Sequence, residues 1–343
     1  MKIIIAEFEN IKGNLKSDLP YDIALQECKA AKENALSVGN PDAAGHASKG
    51  LAECYRRVGQ IDNAIQEYKT AIQFFQETKN LAGIAWTKWG TANILRQQCD
   101  YANSINLLQE AYKSSLIIKD YRCIAYSLAG MAENTRIQGD YKISFIQHMR
   151  ALRIFRMLQD YRGIVWVYEG IAQMYKNCGN LKKALGLFED SKKISEETKD
   201  LRGLGYALKG ISEIMSMIGH YNDADNHFRI ALGLFKEIKF KIGEAYTYKS
   251  MGDYYLRYVE YDKAIDNYNK SLKIFEELKD ERGMAYVIKG FGDVNMRLGF
   301  QDEAIPHYLK SYNFFRRKNI KYGYLLSSTC LKKIGFNGGG YIT

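Results

Sequence analysis

From residue 41 to residue 320 the chain can be written as seven rows of forty residues that align with one another without an insertion. A domain with one hydrophobic core has no reason to repeat its pattern at a fixed period. The fold must therefore be an array of like units stacked side by side. This outranks length as a guide: 343 residues would ordinarily suggest two domains, whereas an array grows by adding units.

The columns of the array show what each unit is. Position 10 of the row reads Gly50, Gly90, Gly130, Gly170, Gly210, Ser250 and Gly290, and position 12 reads Ala52, Ala92, Ala132, Ala172, Ser212, Gly252 and Gly292, small residues that let helices come close. Position 19 is Gly59, Cys99, Gly139, Gly179, Gly219, Val259 and Gly299, where one helix should stop at a left-handed residue. Past that stop, position 24 is Ala or Ser and position 28 is bulky, from Tyr68 to Tyr308. Position 31 is small, from Ala71 to Ser311. Small, bulky four residues on, and small three further on all lie along one helix face. Each row reads as a helix hairpin.

The small and aromatic residues around that turn, plainest at Gly179, Ala184, Phe188 and Ser191, resemble the tetratricopeptide repeat. That unit commonly has about 34 residues and a closing proline. Here the unit is forty and position 36 is never proline, which is similar to the long-repeat arrays of adaptor proteins and kinesin light chains. The resemblance covers about residues 21 to 334 and implies an all-α, right-handed solenoid of tandem hairpins. Residues 1–40 then form a degenerate leading repeat whose first helix ends at Pro20. Residues 41–320 are the seven hairpins, 321–334 a capping helix whose lysines meet water, and 335–343 a flexible glycine-rich tail.

Helical geometry assigns the faces of the first helix. Positions 8, 11, 12 and 15 should meet the hairpin's own second helix, and positions 3, 7, 10 and 14 the adjacent row. Positions 6, 9, 13, 16 and 17 remain, and in this family that face lines the concave groove. Position 6 is His46, Trp86, Tyr126, Trp166, Tyr206, Tyr246 and Tyr286, an aromatic ladder. Position 13 is Glu53, Asn93, Glu133, Gln173, Glu213, Asp253 and Asp293, always a hydrogen-bond acceptor, which helix packing does not require. Position 16 is Arg56, Arg96, Arg136 and Lys176, then Ser216, Leu256 and Met296, giving a cationic half and a more apolar half. Repeated guanidinium groups suit carboxylates, and Arg56 with Glu53 or Arg136 with Glu133 could also pair locally. Arg96 and Arg136 are expected to be exposed. Arg122, Arg162, Arg202 and Arg282 at position 2 are expected to tie rows together through the aspartates ending the preceding row, Asp120, Asp160, Asp200 and Asp280.

These features point to a scaffold or adaptor that holds a peptide or partner-protein segment, with acidic or carboxylate groups favoured by the first four rows. A net charge of +10 keeps open a single-stranded nucleic-acid-binding solenoid, although five acids on the same face oppose it. A regulatory or substrate-presenting subunit of a separate enzyme is a third reading. Catalysis is not expected, because no nucleophile elbow or Walker lysine occurs. The glycines of Gly203–Gly210 fall in the repeat columns with no strand before them. The five histidines occupy different columns and the six cysteines show no C-x-x-C pair, so neither metal nor cofactor is expected. The apolar run Ile3–Ile5 is cut off by Glu7 and Glu9, so a cytoplasmic protein without a membrane partner is expected. Self-association through terminal repeats is open, as is a tail that competes for the groove with Phe336, Tyr341 and Ile342.

Overall fold

The computed structural model describes residues 20–336. The leading helix expected before Pro20 and the tail from residue 337 onward, with Tyr341 and Ile342, lie outside the described residues. Among the described residues there are sixteen helices and no strand. Tyr21–Ser37 comes first. Each row then supplies two helices, from Pro41–Val58 and Ile61–Glu77 to Glu281–Leu298 and Gln301–Arg317, and Lys321–Lys333 follows.

Position 19 is left-handed in every row, with φ 91° at Gly59 and, without glycine's freedom, 61° at Cys99 and 65° at Val259. A second stop carries no glycine to mark it: position 39 is also left-handed, from Lys79 at 56° to Asn319 at 52°. Asp at position 40 then starts the next row as an N-cap, as where Asp160 Oδ1 accepts from the Gly163 amide at 3.0 Å.

The buried phenylalanines Phe75, Phe155, Phe235, Phe275 and Phe315 sit at position 35 of their rows and, with the bulky residues of position 28, fill the space between rows. Small residues at positions 3 and 10 make room for these rings rather than for a neighbouring backbone. A Cβ on Gly243 would lie 2.7 Å from Phe235, and one on Gly290 2.6 Å from Tyr268. Within the hairpin, the Ser144 hydroxyl donates to the Ala132 carbonyl at 2.8 Å, as the assignment of position 12 requires.

Units of a solenoid commonly touch only their neighbours. This one is wound tightly enough to touch itself. Helix Pro41–Val58 packs against Lys241–Arg257, and Tyr121–Gln138 against Lys321–Lys333. The Tyr21 amide donates to the Ile238 carbonyl at 3.2 Å. Gln97 donates to the Leu278 carbonyl across 181 residues, and Lys279 pairs with Asp62 across 217. Cys99, Tyr101 and Ile137 share a buried cluster with Ala285, Phe315 and Ile320. One superhelical turn is thus about five rows, and successive turns meet through apolar contact. The terminal helices, expected to turn an outer face to water, each lie with one side against another turn.

Candidate functional site

The stripe left over on the first helices lines a central cavity of 1550 Å³. All six aromatic, all seven acceptor and all four cationic residues singled out at positions 6, 13 and 16 lie on its wall, with His46. The aromatic column has two jobs. One edge of each tyrosine packs on the position-35 phenylalanine of its row, with centroids 4.9 Å apart for Tyr126 and Phe155, 5.1 Å for Tyr206 and Phe235, and 4.8 Å for Tyr246 and Phe275, whereas the rows of Trp86 and Trp166 have Ser115 and Ser195 there. The rest of the ring faces the cavity, where Tyr126 stacks on Trp166 at 5.9 Å.

Position 13 departs from expectation, because the packing does use an acceptor there. The hydroxyls of Tyr68, Tyr268 and Tyr308 donate to Glu53, Asp253 and Asp293 at 3.0, 2.7 and 2.9 Å. Cations on the same helix complete each carboxylate: Arg56 with Glu53 at 2.6 Å, Arg136 with Glu133 at 2.8 Å, Lys249 with Asp253 at 2.6 Å. Glu213 holds both Lys176 and Lys209. Burial alone would raise the Glu133 and Glu213 carboxyls, but the paired cations outweigh it and hold both well below the usual range. Asn93 is turned inward, donating to the Trp89 carbonyl at 3.0 Å.

The cationic residues need three corrections. Positive charge is not confined to the first four rows, because position 9 adds Lys209, Lys249 and Lys289 and position 17 adds Arg257 and Arg297 to the wall. Helical geometry had already placed both columns on this face. Arg96 and Arg136, expected to be exposed, are half-buried. Two of the position-2 arginines also reach forward: Arg122 pairs with Asp160 at 2.8 Å and Arg162 with Asp200 at 3.7 Å, each the aspartate that ends its own row. Arg282 instead donates to the Tyr246 hydroxyl at 3.0 Å.

The wall carries seventeen Lys and Arg side chains against ten Asp and Glu, so its balance is positive. Two members are incompletely matched. Arg96 lies 5.9 Å from the Trp166 ring centroid, and its buried Nη1 has no hydrogen-bond partner. Burial pushes its guanidinium down to about 10, with Arg282, Arg56 and Arg136 adding repulsion that Glu133 only partly offsets. Glu169 is the converse: its buried Oε1 has no partner, and burial pushes the carboxyl well up despite Arg202 and Lys209 nearby. Among the described residues no three His, Cys, Asp or Glu side chains are grouped to hold a metal, and no helix is long and apolar enough to cross a membrane. The run Gly203–Gly210 lies inside helix Leu201–Met217 and cannot act as a phosphate loop.

The family model for the tetratricopeptide repeat matches residues 42–116, the first hairpin and most of the second. The chain carries tetratricopeptide repeats. Its solenoid is similar over nearly its whole length to a Rap protein solved with competence and sporulation factor, with TM-score 0.64 and 15% identity over 98% of this chain and 99% of that one. It is also similar to NprR solved with its cognate peptide NprX, at TM-score 0.59 and 12% identity over 90% of this chain and 95% of that one. A third likeness is the Rap conjugation gene regulator of plasmid pLS20 solved with the Phr* peptide, at TM-score 0.58 and 13% identity over 86% and 78% of the two chains. No curated protein matches this tetratricopeptide sequence.

Proposed function

We propose that the chain binds a peptide, or an extended segment of a partner protein, in its central cavity, with a carboxylate or acidic side chain seated at Arg96. The observation that carries this reading is the half-satisfied guanidinium beside Trp166, in a wall where the other position-16 cations have acidic partners. A half-buried guanidinium held below its ordinary range gains most from an incoming anion, through charge-assisted hydrogen bonds that replace lost hydration. The remaining rings offer apolar surface, and the closed carboxylate networks hold the wall in shape before a ligand arrives. Two proteins of similar fold were solved with peptides and a third with competence and sporulation factor, which supports the same use of the cavity here.

The test is fluorescence polarisation with two labelled pools of short peptides that differ only in carrying acidic or neutral residues and ends. The acidic pool should bind more tightly, and Arg96→Gln should weaken it by about tenfold while leaving the neutral pool unchanged. Equal binding of both pools to both proteins would sink the reading. The positive wall and its rings also favour single-stranded nucleic acid, and a labelled oligonucleotide bound with a steep loss of affinity on adding salt would select that alternative.

A further inference from the structure

The second helix of the third row, Tyr141–Leu158, lies on the outside of the solenoid and is unlike the other second helices. It has no Asp or Glu, and it carries Lys142, Arg150, Arg153 and Arg156. The three arginines recur every third residue as like-charged helical neighbours, an arrangement that costs stability. The same outer surface exposes Ile143, Phe145, Ile146 and Met149, between 39% and 52% open to solvent. The equivalent positions one row on are Lys183, Leu185, Gly186 and Glu189. At the end of the helix Met157 is 64% exposed, and Ile117, its counterpart in the preceding row, is 77% exposed, with Lys119 and Tyr121 beside it.

Neither packing nor helix stability calls for this combination, so something outside the chain should meet it. A second copy docked face to face would bring two acid-free cationic helices together, which charge opposes. The cations exclude any partner that is not anionic. The apolar side chains stand out singly from the second helices of two successive rows, with the arginines on the same face of Tyr141–Leu158 and the exposed Tyr121 between the two helices in sequence. A bilayer surface accepts such side chains without a matching pocket, while arginine stems lie along the apolar layer with their heads among phosphates. We infer that this outer face of the second and third rows docks reversibly on an anionic membrane surface. Such docking leaves the central cavity open, and it needs no helix that spans the bilayer.

The experiment is co-sedimentation of the full chain with vesicles of phosphatidylcholine alone and of phosphatidylcholine mixed with phosphatidylserine, at low and at physiological salt. The wild type should pellet only with the phosphatidylserine vesicles, less so at the higher salt. Arg150→Glu with Arg153→Glu should weaken that binding by at least about tenfold. Ile117→Ser with Met157→Ser should also weaken it severalfold; both pairs are exposed, and melting curves check that the fold is kept. Failure of the wild type to pellet with phosphatidylserine overturns the inference. So does binding that survives the Ile117/Met157 change, which would mean adsorption by net charge alone. Self-association abolished by that same change, without vesicle binding, would assign the patch to a second copy and overturn it equally.

Discussion

At Gly290 a single hydrogen in place of a methyl group decides whether two rows can nest. A Cβ there would lie 2.6 Å from the ring of the fully buried Tyr268. Gly290→Ala should therefore lower stability by about 1–3 kcal/mol through overpacking. Gly186, inside helix Leu181–Thr198 with nothing within 4 Å of its would-be Cβ, is the control. There the same change should add about 0.5–1 kcal/mol, because alanine has less backbone entropy to lose. Urea midpoints of the two variants should move in opposite directions. The glycine column was legible because a recurring small residue leaves a trace in a repeat. The acceptor column was legible as a column, but its partners were not: Tyr68 and Glu53 meet across a turn, and no spacing along one helix reveals that pair. The lone state of Arg96 was hidden for the same reason, since it depends on what Glu133 and Trp166 do in other rows.

Between elements, the caps do more than start helices. Asn180 accepts from the Lys183 amide at 3.2 Å and is exposed, so Asn180→Ala should cost about 1 kcal/mol. Asp160 caps helix Tyr161–Asn177 in the same way but also receives Arg122 at 2.8 Å and the Tyr126 hydroxyl at 3.3 Å while fully buried. Asp160→Ala should cost about 3 kcal/mol or more, because it strands a partly buried guanidinium. Thermal melts of the two alanine variants measure the difference, and equal losses would mean that the tie between rows contributes nothing. Helix positions could be read from the period and the glycine stops. The stop at position 39 could not, because lysine occupies it in most rows and the left-handed turn is imposed by the N-cap and the packing that follow.

For the molecule as a whole, contact between successive turns changes how unfolding should proceed. A solenoid whose rows touch only their neighbours can fray from either end. Here Tyr21 is bonded to the Ile238 loop, and Cys99, Tyr101 and Ile137 are clustered with Phe315 and Ile320, so both ends of the described array are anchored in the wall of another turn. All three tryptophans, Trp86, Trp89 and Trp166, lie in rows two and four, whereas circular dichroism reports every helix. Urea transitions followed by the two signals should coincide; separated midpoints would show that the rows unfold piecemeal. This seam was not legible, because winding accumulates from a small rotation at each row and no single column encodes it. It also makes length a structural quantity. Like a key ring whose wire runs well past one full loop, the described array grips itself where successive loops overlap. Inserting or removing one forty-residue row would leave every hairpin intact yet slide that overlap by about a fifth of a loop. Partners such as Gln97 and Leu278 would then face the wrong row, and the cavity would change its bore without any of its wall residues having changed.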